Sequence, residues 1–169
     1  MQRSLVFVPT SLEEARQLAG APFTEPRQAF AVTPDLLAAL DFGPDQGEEA
    51  ERGALVLASV WGLTQWGERC VVVAEVPEAD VDRTEQHETG NGGVGLARLD
   101  TGSVVSAYAD EAGLDLTTAA AASRGLDVDA AWDAPQVQAL VTEHHLLWHD
   151  ASELALLGRE SAATSGGGH

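Results

Sequence analysis

Apolar residues fall in short runs along the chain, separated by proline, glycine and acidic breaks, and the spacing inside each run distinguishes strands from helices. Leu5 to Val8 is a strand-length run stopped by Pro9. Ser11-Leu12-Glu13-Glu14 then has the form of a capping box and predicts a helix ending near Gly20. After a loop from Ala21 to Arg27, Ala29 to Val32 reads as a second strand. Thr33 and Pro34 follow as the cap and first position of a short helix over Asp35 to Leu40.

The longest helical pattern runs from Gly47 to Trp66, with Glu48 and Glu49 at its positive end and an apolar surface round most of its girth, which predicts burial against a sheet. Trp61 and Trp66 are read as core and rim packing. Arg69 to Val76, rich in valine and closed by Pro77, is the clearest strand. The polar segment from Pro77 to Gly93 is expected to be a mobile loop, with His87 on its surface. Val94 to Leu99 and Ser103 to Ala109, joined by Asp100-Thr101-Gly102, read as a hairpin. An Ala-rich helix from Leu116 to Ser123, a link from Asp127 to Ala131 and a helix opening at Asp133-Ala134-Pro135 lead into residues 146–149, expected as a short strand. The architecture implied is α+β: a mixed sheet of about five or six strands packed against several helices. The helices between the first three strands suggest parallel pairing there.

Composition narrows the partners. The chain has 169 residues, 44% of them apolar, enough for one core, so residues 1–160 are expected to form a single domain and 161–169 a disordered Gly/Ser-rich tail. Asp and Glu number 27 against 9 basic residues, and a formal charge of -18 repels phosphate backbones and anionic headgroups, so neither nucleic acid nor membrane is expected as a partner. All basic residues are Arg. The absence of Lys excludes a Schiff-base or P-loop lysine, and the absence of Lys and Ile suggests a GC-rich coding sequence. The lone Cys70 cannot form an internal disulfide and sits in an apolar run where a thiol pKa rises. The N-terminal apolar run is too short for a signal peptide, so a cytoplasmic protein is expected.

Gly90-Asn91-Gly92-Gly93-Val94-Gly95 matches G-x-G-x-x-G by letter, but a polar loop precedes it and a strand follows, the reverse of a dinucleotide-binding turn. No cofactor is assigned. The one concentrated chemical stretch is Glu143 to Glu153, with His144, His145 and His149. His145 and His149 lie four apart and share a face of either a helix or a strand. With Glu153, Glu143 or Asp150 as a third ligand they would suit zinc or ferrous iron. The plainer reading keeps Leu146 and Trp148 as a buried anchor, leaves the histidines at the rim and assigns no metal. Asp150 and Glu153 also fit a capping box opening a helix through Leu157, and on a strand His145, Leu147 and His149 would face away from Leu146 and Trp148.

Val6-Phe7-Val8-Pro9-Thr10, Ala29-Phe30-Ala31-Val32-Thr33-Pro34, Val71-Val72-Val73-Ala74-Glu75-Val76-Pro77, Tyr108-Ala109-Asp110-Glu111 and His144 with Leu146-Leu147-Trp148 together resemble an uncharacterised actinobacterial family, a domain of unknown function. The resemblance spans most of residues 4–157. It implies no activity, so no catalytic residue carries over. The histidine matching its pattern is His144, whereas positions 145 and 149 are typically an acid and an aromatic.

The function expected is that of a small non-enzymatic binding or regulatory domain whose protein or small-molecule partner is unknown, with a homo-oligomer left open. The alternative is a small hydrolase or metalloenzyme in which His144, Asp150 and Glu153 are the catalytic candidates and His145 and His149 the metal pair.

Overall fold

One antiparallel sheet organises the computed structural model, which describes residues 2–84 and 87–158. The tail expected at residues 161–169 lies outside the described residues. Seven strands, β1 (Arg3–Pro9), β2 (Arg27–Phe30), β3 (Cys70–Pro77), β4 (Val81–Asp82), β5 (Gly93–Leu96), β6 (Val104–Ala109) and β7 (Leu147–Asp150), lie in the order β4-β5-β2-β1-β3-β6-β7. The α+β class holds, with more strands than the five or six expected, and every neighbouring pair runs antiparallel.

Parallel pairing of the first three strands is corrected: β1 pairs antiparallel with both β2 and β3. Helix α1 (Leu12–Leu18) rises only about 10 Å against the roughly 23 Å of β1, and the chain after it is held by the Phe23–Leu99 bridge instead of returning to the start of β1. β2 accordingly runs back along β1, with Phe7 opposite Phe30. β2 and β3 do point the same way, joined through α2 (Pro34–Leu40) and α3 (Gly47–Trp66), but β1 lies between them and pairs with both. The expected hairpin is also corrected. β5 pairs with β2 and β4, and β6 with β3 and β7, so residues 97–103 cross the sheet. Burial drives that crossing: Leu99 is 1% exposed and bridges Phe23, and Thr101 Oγ1 donates to Leu18 O at 2.6 Å.

Period-two alternation gives the sheet two apolar faces. Val6, Val8, Cys70, Val72 and Ala74 pack with Ala15 and Leu18 of α1 and with Leu154 and Leu157 after β7. Phe7, Phe30, Val71 and Val73 pack on the other face against α3 and against α4 (Thr117–Ser123), α5 (Val128–Trp132) and α6 (Pro135–Glu143). α3 has the limits its pattern predicts. Ala50, Ala54 and Ala58, four apart, are fully buried, and their small side chains let the helix axis approach the sheet closely. Trp61 and Trp66 meet edge to face at 5.6 Å, as packing groups. α5, read from sequence as a link, is capped by Asp127, whose side chain accepts from Ala130 N at 2.8 Å.

The described residues of segment 77–93 are tied down where a mobile loop was expected. They form two 3-10 turns around β4; Ala97 N donates to Asp80 O at 2.8 Å, and Asn91 Nδ2 donates to Asp129 Oδ1 at 3.1 Å. Gly92 has φ +86°, and a Cβ there would lie 2.5 Å from Ala31 O, so the glycine run serves a close backbone approach.

Cys70 is fully buried beside Thr10, and burial pushes its thiol up to about 12 from 9.0. The fold favours the neutral thiol, so its contribution is complete below pH 9 and disappears as pH rises towards 12. At about 1.4 kcal/mol per pH unit the loss is bounded at about 4 kcal/mol. Denaturant midpoints measured from pH 8 to 11 should fall more steeply for the wild type than for Cys70→Ala; equal slopes would contradict this.

Candidate ligand-binding cavity

Arg69 stands one residue before β3 and Asp110 one residue after β6, next to the registered pair Cys70 and Ala109. Their side chains are 2% and 7% exposed. Arg69 Nε donates to Asp110 Oδ2 at 2.9 Å, and Nη2 donates both to Asp110 Oδ1 and to His144 O at 2.8 Å. A buried guanidinium requires such a partner, and the planar fork meets a carboxylate with two donors. His144 is held from its other side as well, since its N–H donates to Leu140 O at 3.0 Å and ends α6. Backbone bonds thus fix His144 and leave its ring to project.

That ring borders a cavity of about 430 Å³ between the α3 face of the sheet and the helices. Leu5, Phe7 and Val73 of the strands form an apolar floor, and Leu55, Val56, Val141 and Leu146 form apolar walls. Ser106 and Tyr108 of β6 reach it from the sheet, His144 and His145 from the end of α6, and Glu48, Glu51 and Arg52 from the exposed turns of α3. Ser59 has already committed its hydroxyl to Val56 O at 2.6 Å. By contrast, Ser106 Oγ, Tyr108 Oη, the rings of His144 and His145 and the Arg52 guanidinium make no hydrogen bond to any described residue. Ser106 is only 5% exposed, so its unspent hydroxyl lies deep.

A second, more apolar cavity of about 800 Å³ lies across α3, walled by Leu40, Phe42, Leu57 and Trp132. Glu48, Arg52, Val56 and Val141 border both cavities, so the N-terminal half of α3 is shared by the two.

The structure divides the histidine cluster. His144 and His145 border the first cavity, on the α3 side. His149 stands in register with Ala107, which belongs to the α1-side core. Among the described residues no three His, Cys, Asp or Glu side chains form a group able to hold a metal ion. Asp150 and Glu153 are joined in a cap: Asp150 Oδ2 accepts from Ser152 N at 2.9 Å and Ser152 Oγ at 2.7 Å, and Asp150 N donates to Glu153 Oε1 at 2.9 Å. These bonds, the hydroxyl first, hold the Asp150 carboxyl below its ordinary value of 3.8. The helix they open is a 3-10 helix, Ala151–Leu156. Trp148, expected in the core beside Leu146, is 58% exposed, because β7 is the outermost strand and α6 has ended at Glu143; Leu146 alone is partly buried, in the cavity wall.

Sequence reading missed Arg69, Arg52, Ser106 and Tyr108. One signal was present for the first: a charged residue at the mouth of the most apolar strand must find a buried partner.

Fold and cavity together define an antiparallel α+β protein with a helix-roofed recess over one sheet face. The chain matches the family of unknown function DUF6912 over residues 4–157 and belongs to that family. Neither curated proteins nor solved structures give a match.

Arg69→Met leaves the Asp110 carboxylate buried without its partner and should cost about 3–5 kcal/mol in chemical denaturation. The double variant Arg69→Met with Asp110→Leu should recover much of that loss. Additive losses would show that the pair is not coupled.

Proposed function

We propose that this chain is a non-enzymatic binding domain that takes a small amphipathic molecule into the cavity between the sheet and α3. The observation that carries this reading is the set of unspent polar groups, Ser106, Tyr108, His144 and His145, converging over an apolar floor. A cavity of about 430 Å³ falls in the size range of small-molecule sites, and a few convergent polar groups over apolar walls are their usual chemistry. The hydrolase reading has less support: general acid-base chemistry needs an oriented base, whereas the ring of His144 has no carboxylate partner among the described residues and Asp150 and Glu153 are engaged in their cap.

A charge of -18 argues against nucleic acid and anionic membranes as partners, and among the described residues no helix is long and apolar enough to cross a membrane. A buried free thiol supports a cytoplasmic setting, and the GC-rich residue usage supports an actinobacterial source.

The test is a thermal-shift and NMR screen of small amphipathic molecules against the wild type and Leu55→Trp, a variant that fills the cavity from α3. Compounds that raise the wild-type Tm should lose that effect in the variant, while its circular dichroism and cooperative unfolding persist. A screen with no hits, or hits indifferent to Leu55→Trp, would overturn the reading.

A further inference from the structure

We infer that the molecule held in this cavity carries one carboxylate, seated at the bottom against Ser106, Tyr108 and Arg69, with its apolar body lying along Phe7, Leu55 and Val141. This rests on the ligand-binding reading above and adds the ligand's chemical class. The depth order of the polar groups carries the inference. The most buried polar groups are donors: the hydroxyl of Ser106, 5% exposed, and Arg69, 3% exposed, with the half-buried Tyr108 beside them on β6.

Arg69 has five N–H groups. Nε–H and the two hydrogens of Nη2 meet Asp110 and His144 O, and the two on Nη1 have no acceptor among the described residues. Among those residues the one buried side-chain nitrogen or oxygen without any partner is Arg27 Nε, so Ser106 Oγ and Arg69 Nη1 are not fully sealed and can meet a ligand. Arg69 also borders a recess beside α4, but there Glu68, Asp110 and Glu111 outnumber Arg69 and Arg124 and disfavour an anion.

The acids that border the cavity, Glu48 and Glu51, sit on exposed turns of α3 at its mouth. A cationic ligand would find its counter-charges there, leaving its apolar end against the donors below. A multiply charged anion such as a nucleotide would face Glu48, Glu51 and a net charge of -18, with the Arg69 guanidinium already balanced by Asp110 and only Arg52 beside it. A single carboxylate on an apolar body satisfies the donors beneath and the Leu and Phe walls together, and charge-assisted hydrogen bonds to it are the strong kind.

The probes are 3-phenylpropionate, 3-phenylpropionamide and 3-phenylpropylamine, matched in body and differing in head, titrated by calorimetry and by amide NMR into the full chain. 3-Phenylpropionate should bind, perturbing resonances around Ser106 and His144. The amide should bind at least tenfold more weakly and the amine should leave those resonances unmoved. Ser106→Ala should weaken 3-phenylpropionate about fivefold or more with an unchanged unfolding midpoint, and Leu55→Trp should abolish its binding. If the amide or amine binds as well as the acid and Leu55→Trp removes that binding, the carboxylate assignment falls and the cavity reading stands. If 3-phenylpropionate fails while hits from the amphipathic screen remain sensitive to Leu55→Trp, the carboxylate assignment again falls alone. Failure of the probes and of the screen together removes both.

Discussion

The buried pair of Arg69 and Asp110 is the constraint on which the site depends. It closes the β3–β6 ladder one step beyond Cys70 and Ala109, and through the carbonyl of His144 it fastens the end of α6 to the same point. Moving two opposite charges out of water costs several kcal/mol per ion, and an apolar pair of similar shape would commonly be as stable or more so. What an apolar pair lacks is direction. The guanidinium fork dictates where a β-strand end, a second strand end and a helix end must stand, and the cavity lies among those three. The loss of either charge therefore reaches beyond stability, since His144, Ser106 and Tyr108 hold their relative places through the same ladder and the same bond.

Features set within four residues of chain were legible from the sequence. The capping boxes at Ser11 with Glu14 and at Asp150 with Glu153, the Thr33 cap before Pro34 and both limits of α3 follow from local hydrogen bonding and periodicity. Strand-length apolar runs likewise marked β1 and β3, while the division of Val6 and Val8 from Phe7, and of Val72 from Val71 and Val73, between two faces is seen in the fold. The errors are non-local. Asp100-Thr101-Gly102 does turn the chain, but both edges of β5 are already taken by β2 and β4, so the chain after it crosses to the far side of β3. No residue near the turn encodes that occupancy. Trp148 was read as core because it is a large aromatic in an apolar run; its exposure follows from β7 being last in the sheet, a property of strand order.

The candidate site divides the same way. Three histidines in six residues drew notice by composition, and His144 and His145 do border the cavity. The deepest polar groups, Ser106 and Arg69, are 38 and 75 residues from His144 and belong to strands whose pairing was not readable. Their chemistry was invisible for a physical reason: a serine on a strand is unremarkable until its neighbours across the sheet are apolar and its hydroxyl is left unspent.

The treatment of positive charge ties these strands together. With nine Arg, no Lys and 27 acids, the chain carries far more carboxylates than it can pair, and self-repulsion works against compaction. Several of its scarce cations nonetheless turn to backbone carbonyls distant in sequence. Arg16 Nη1 donates to Leu157 O at 2.6 Å, Arg27 Nη2 donates to Pro9 O at 3.0 Å while its guanidinium lies 4.4 Å from the Phe23 ring centroid, and Arg69 donates to His144 O. An ammonium on a flexible stem would make such bonds with less fixed direction; the planar fork makes them as cross-links. Arginine here acts as an internal fastener more than as a surface counter-ion. Arg52 and Arg124 depart from that usage: neither makes an ion pair or hydrogen bond to any described residue, and Arg52 borders the cavity one helical turn after Glu48. A chain so short of positive charge thus spends its arginines mainly inside, and at the mouth of the recess leaves Arg52 among Glu48 and Glu51, above an apolar floor whose most buried polar groups are donors.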